Sequence, residues 1–132
     1  MATELWALLA MTFFTLFAWL PGSVGKKQSY GMKWLAGNRN PSDRPLLEWA
    51  SRAERAYQNL KDYFPCFVVA ILLLAHLDLF NSFTAFAAWG FVALRVLHMI
   101  VYIAGLPMLR ALIWMLSMAL LVGMLSVPFF RT

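Results

Sequence analysis

The sequence predicts an all-α integral membrane protein, a four-helix bundle, on three observations. Apolar residues make up 62% of the 132-residue chain and charged residues only 13%, against roughly 45–50% and about 25% in soluble domains. The length leaves room for one domain of about four spans, each of roughly 20 residues. The basic residues are not spread along the chain. Eight of the eleven (Lys26, Lys27, Lys33, Arg39, Arg44, Arg52, Arg55 and Lys61) fall between positions 26 and 61. In so apolar a chain that cluster is a topology signal rather than a nucleic-acid patch.

The first span is expected over about 5–20, closed by Pro21-Gly22. With Glu4 at its start and no basic leader it resembles a retained span more than a cleaved signal peptide. The stretch "GKKQSYGMKWLAGNRNPSDRP" that follows carries Gly, Asn and Pro punctuation and reads as loop. Helical patterning resumes near Leu46 and continues to about Leu77. That is too long for one crossing, so a cytoplasmic loop and helix extension occupy about 21–61 and the second span about 62–77. A short turn at Asp78–Ser82 leads to a third span over 83–104. A reversal at Gly105-Leu106-Pro107 opens the fourth, 108–130. All belong to a single domain, 1–132. The positive-inside rule puts the first loop in the cytoplasm and the N-terminus outside.

Polar residues inside this frame share one end of the bundle. Arg52, Arg55, Asn59 and Asp62 are spaced i, i+3, i+7, i+10, one narrow helical stripe at about 100° per residue, with Tyr63 at its edge. Arg95, His98 and Tyr102 form a second stripe, i, i+3, i+7, in an otherwise apolar span. Arg110 sits about one turn into the fourth. Counted back from Gly105, Arg95 lies roughly 15 Å inside its helix end. An arginine at that depth should face protein or trapped water. The stripes can converge on one cationic cavity suited to a small anionic ligand bearing carboxylates. Each residue also has a plainer role. Arg52 and Arg55 suit a solvated anchor, Asp62 and Arg95 a register-fixing pair, His98 a neutral bonded imidazole, Tyr102 an interfacial belt and Arg110 a positive-inside anchor.

The sequence "RAYQNLKDYFP" resembles the arginine–alanine–x–x–asparagine–x–x–acid–tyrosine–phenylalanine–proline motif of the MAPEG family, the membrane-associated proteins in eicosanoid and glutathione metabolism. "RVLHMIVYIAGLPMLR" is similar to a third-helix motif of the same family. The resemblance covers nearly the whole chain, and the "AGLPMLR" reversal looks most like bacterial members. It implies a homotrimer in a bacterial inner membrane, with glutathione as cosubstrate held between subunits near the cytoplasmic face. By position it implies ligand contacts at Arg52, Arg55, Asn59, Asp62, Tyr63, Arg95, His98 and Tyr102. Arg110 would be the catalytic residue that stabilises the thiolate. Asp62 stands where the family has glutamate, and Ala111 where some members have serine.

The implied activity is that of a glutathione-dependent transferase or peroxidase acting on a hydrophobic small molecule delivered through membrane lipids. Phe83, Phe86, Trp89, Phe91 and Trp114 are candidates for its path. The alternatives are a non-catalytic lipid-binding or scaffold member of the family, and an accessory subunit of a larger complex. Cys66 is alone in an apolar run and His76 has no evident partner. No pattern argues for a metal, haem, nucleotide or nucleic-acid site.

Overall fold

The computed structural model describes residues 1–131. It contains six helices and, among the described residues, no strand: α1 (Thr3–Phe17), α2 (Leu20–Tyr30), α3 (Met32–Ala36), α4 (Glu48–His76), α5 (Ser82–Ala104) and α6 (Pro107–Phe130). Four helical stretches are long and apolar enough to cross a bilayer: Thr3–Tyr30, formed by α1 and α2 together, then α4, α5 and α6. The protein is an integral membrane helical bundle.

The N-terminal stretch differs from the sequence expectation of a span over about 5–20, closed by Pro21-Gly22, with a loop beyond it. Ala18 and Trp19 keep right-handed helical backbone, and Pro21 falls in the first turn of α2. A proline there withholds a donor that a helix start does not use, so it restarts the helix instead of ending it. Continuation through the weak formers "GSVG" has a tertiary cause. Gly22 and Gly25 are buried against α4, where Glu54 and Ala50 occupy the space a β-carbon would need. Lys26 then ion-pairs with Glu54 at 3.1 Å. Gly31, at φ 89°, ends α2 in a backbone region that only glycine enters freely.

Helix α4 turns one continuous stripe inward: Ala50, Ala53, Ala56, Leu60, Phe67, Ala70, Ile71 and Leu74 are all buried. Ala50 packs on Gly25 of α2, while Ala56, Leu60, Phe67, Ala70, Ile71 and Leu74 join the membrane-level core. There the Phe67 ring stacks on Phe91 of α5, with centroids 4.5 Å apart and planes 13° apart. Helix α5 is the central element, in contact with α1, α4 and α6.

Its two ends are sharply defined. At the start, Asn81 accepts from Thr84 N–H while the Thr84 hydroxyl accepts from Asn81 N–H, a reciprocal cap. Thr84 also donates to the buried Glu4 carboxylate at 2.5 Å, tying α1 to α5. At the far end Gly105 adopts the left-handed conformation, φ 80°, and both Gly105 and Leu106 return N–H groups to the Val101 carbonyl. Pro107 then opens α6. The outer surface carries exposed Phe86, Ile100, Met115 and Val122, an apolar coat stable only in lipid or against another apolar surface.

Candidate anion site at the α5–α6 corner

The site is assembled where the first half of α4 meets the end of α5 and the start of α6. Arg52 makes the join. Its Nε donates to the Ile103 carbonyl at 2.9 Å, one of the last carbonyls of α5 and therefore without a helical partner. The same guanidinium lies 3.8 Å from Glu48, a loose i,i+4 pair. Arg55, one turn on, is exposed and donates from Nη1 to Ser51 Oγ at 2.7 Å.

Deeper in the bundle, Arg95 is only 1% exposed. Its Nη2 donates to Asn59 Oδ1 at 2.6 Å, while Nε and Nη1 have no partner among the described residues. The Tyr63 ring centre lies 5.9 Å from the guanidinium. The register-fixing pair with Asp62 does not form: Asp62 is exposed and makes no ion pair among the described residues. The helical period explains the difference. Residues 59 and 62 are about 60° apart around the axis, and Asn59 is the one turned toward α5.

His98 is 2% exposed and meets the Tyr102 ring edge-on at 5.6 Å. The Arg110 guanidinium lies 4.5 Å from the centre of the same ring, within cation–π range. Two cavities flank this Tyr102–Arg110 pair. The outer one, about 240 Å³, is lined by Glu48, Arg52, Arg55, Tyr102, Arg110 and the 105–107 corner. The inner one, about 280 Å³, is lined by Asn59, His98, Tyr102, Arg110, Ala111 and Trp114.

Six of the nine candidates from the sequence therefore line a cavity: Arg52, Arg55, Asn59, His98, Tyr102 and Arg110. Arg95 and Tyr63 stand behind them, Arg95 through Asn59 and Tyr63 by an edge contact to Trp114 at 5.9 Å. Asp62 is outside both cavities. Sequence reasoning missed Glu48, for which the i,i+4 spacing to Arg52 was an available signal. It also gave Trp114 only a lining role, whereas its indole Nε1 is buried with no partner among the described residues, a signal that exists only in three dimensions.

The outer cavity holds three guanidinium groups against one carboxylate, so it favours an anion and provides planar donors for carboxylates. The inner cavity offers an amide, an imidazole, a phenol and the Arg110 guanidinium, with Ala111 and Trp114 completing its wall. The model of the MAPEG family matches residues 3–130 of this four-span chain. The chain belongs to the MAPEG family. Comparisons with curated proteins and with solved structures returned no match.

Within this MAPEG chain, the polar residues gather at one end of the bundle. Glu4, Asp78, Asn81 and Thr84 mark the opposite end, about the length of α5 from the Gly105 corner. Among the described residues no group of three or more His, Cys, Asp or Glu side chains could hold a metal ion. The donor set is suited to charge recognition by guanidinium groups.

Proposed function

We propose that this MAPEG protein is a membrane-bound glutathione-dependent transferase or peroxidase. The observation that carries the reading is the position of Arg110, which lines both cavities and is held against Tyr102. The outer cavity receives the carboxylates of the tripeptide near Arg52 and Arg55. The sulfur lies beside Arg110, and the inner cavity with its Trp114 wall receives the hydrophobic electrophile from the bilayer.

A free thiol has a pKa near 8.5 and only its thiolate is a competent nucleophile. A guanidinium in a water-poor site stabilises the anion and lowers that pKa. The thiol proton leaves to solvent and the sulfur attacks. In conjugation a C–S bond forms and the electrophile's leaving group departs with its electron pair. In peroxide reduction two thiols become a disulfide while the peroxide becomes an alcohol and water. Neither route requires a protein nucleophile.

The working assembly is a homotrimer with the first loop on the cytoplasmic side of an inner membrane. Asp62, exposed on α4, then faces a neighbouring subunit and the ligand amine. The exposure of the same residue also favours a second reading, a non-catalytic lipid-binding or scaffold member whose acid contact has been lost.

Isothermal titration of glutathione into the detergent-purified protein, in buffers of different ionisation enthalpy, separates the two. Saturable binding with proton release near neutral pH supports the enzyme. Binding without proton release, or none at millimolar glutathione, rejects it. Arg110→Ala should abolish turnover and proton release with the oligomer intact. Loss of the oligomer would make Arg110 structural.

A further inference from the structure

A third polar cavity, about 410 Å³, lies away from the α5–α6 corner, where α2 gives way to α3 and the following turn. Tyr30, Lys33, Trp34, Asn38, Arg39 and Asn40 line it. Its walls are fixed by the chain itself. The Tyr30 and Trp34 rings are 4.5 Å apart, Trp34 Nε1 donates to the Asn40 carbonyl at 2.8 Å, and Arg39 Nε donates to the Leu35 carbonyl at 2.9 Å. That last bond turns the Arg39 side chain back along α3 and leaves both terminal nitrogens free. Among the described residues, neither Lys33 nor Arg39 has a carboxylate within ion-pair distance.

The level of this cavity in the bilayer follows from length. The stretch Thr3–Tyr30 has 28 residues, about 42 Å of helix at 1.5 Å per residue. A bilayer measures about 30 Å across its hydrocarbon and about 40–45 Å with its headgroups. Tyr30 and the turn after it therefore stand among the headgroups, the depth at which tyrosine and tryptophan rings are favoured. Lys27, one turn before Tyr30 on α2, is exposed and makes no ion pair among the described residues, while Lys26 is taken up by Glu54.

We propose that this cavity binds the phosphate of an anionic phospholipid in the adjoining leaflet. Arg39 supplies planar donors to the phosphate oxygens and Lys33 a point charge. The asparagine amides add neutral donors, and the Tyr30–Trp34 pair lies beside the glycerol and upper acyl region. The proposal is independent of the chemistry at Arg110.

The test is native mass spectrometry of the full chain in detergent with equimolar phosphatidylglycerol and phosphatidylcholine. The wild-type protein should retain phosphatidylglycerol selectively. Selectivity should fall about fivefold for each cation removed in Lys33→Gln and Arg39→Gln, while Lys27→Gln, a cation outside the cavity, changes it little. Equal retention of the two lipids, or an equal loss in Lys27→Gln, overturns the proposal in favour of general surface charge. Displacement of phosphatidylglycerol by excess inorganic phosphate, with the bound phosphate lost in the same two variants, assigns the cavity to a free anion instead. Should a variant fail to fold, the wild-type protein still decides: a photoactivatable phosphatidylglycerol must crosslink to the 30–40 segment, and labelling spread equally over Lys27 and the other exposed cations overturns the proposal.

Discussion

Asn59 on α4 accepts a single 2.6 Å hydrogen bond from Arg95 on α5, and the buried guanidinium has that amide in place of a counter-charge. The bond fixes the spacing of two helices and keeps a positive charge behind the inner cavity.

Asn59→Ala should therefore cost about 1.5–3 kcal/mol, the range for a hydrogen bond to a charged group, read as a lower thermal unfolding midpoint in detergent. Asn59→Asp should fold at least as well as the wild type, because it pairs the charge. The same change should weaken anion binding by about tenfold or more, since it neutralises the field felt in the cavity. A variant that loses both properties together would show that Asn59 acts only through stability.

Arg52 was read from the sequence as a ligand contact, and its bond to the Ile103 carbonyl makes it a positioning residue for the corner as well. Arg52→Ala should destabilise by about 1 kcal/mol, reduced from the buried range because the side chain is partly solvated. Amide exchange at Gly105 and Leu106 should accelerate in the ligand-free protein. Arg52→Lys keeps the charge without the same Nε geometry and should remain fast. Unchanged exchange in both variants would return Arg52 to a purely ligand-binding role.

Gly25 and Gly31 should respond differently to substitution. A β-carbon at Gly25 runs into Ala50 of α4, including its backbone, so Gly25→Val should separate α2 from α4 at a cost of about 1–3 kcal/mol or more. Gly31 has open space around it but a backbone conformation that is essentially glycine-only, so Gly31→Ala should cost about 1–3 kcal/mol through the backbone alone and leave the α2–α4 contact intact. Thermal unfolding midpoints of the two variants give the comparison directly.

Thr84 joins the α5 cap to Glu4. Thr84→Val removes both bonds and leaves a buried carboxylate without its partner, an expected loss of about 2–3 kcal/mol. Glu4→Gln retains an acceptor for the hydroxyl and should cost less than about 1 kcal/mol. Equal losses in circular-dichroism melts would contradict this division.

Four spans were legible because hydrophobic length is a one-dimensional property, and Gly105-Leu106-Pro107 punctuates the chain where it turns. Helix α2 was not, because Gly22 and Gly25 carry their information in the partner they allow close: read alone they are breakers, and against Ala50 they are a docking face. The polar stripes were legible from spacing. Which member of a stripe bonds was not, since a 60° difference in azimuth separates Asn59 from Asp62 and the sequence does not state how α4 is rotated against α5. The bond from Arg52 to Ile103 has no side-chain signature at its acceptor, so no residue pattern announces it.

Tyr102 and Arg110 wall both cavities of the corner. Any change at either residue reshapes two compartments at once, so neither compartment can be retuned through this pair while the other stays fixed. Variation among relatives should accordingly collect at Glu48, Arg55, Ala111 and Trp114, each of which borders a single compartment, and the shared pair becomes the point where the evolutionary histories of the two compartments are joined.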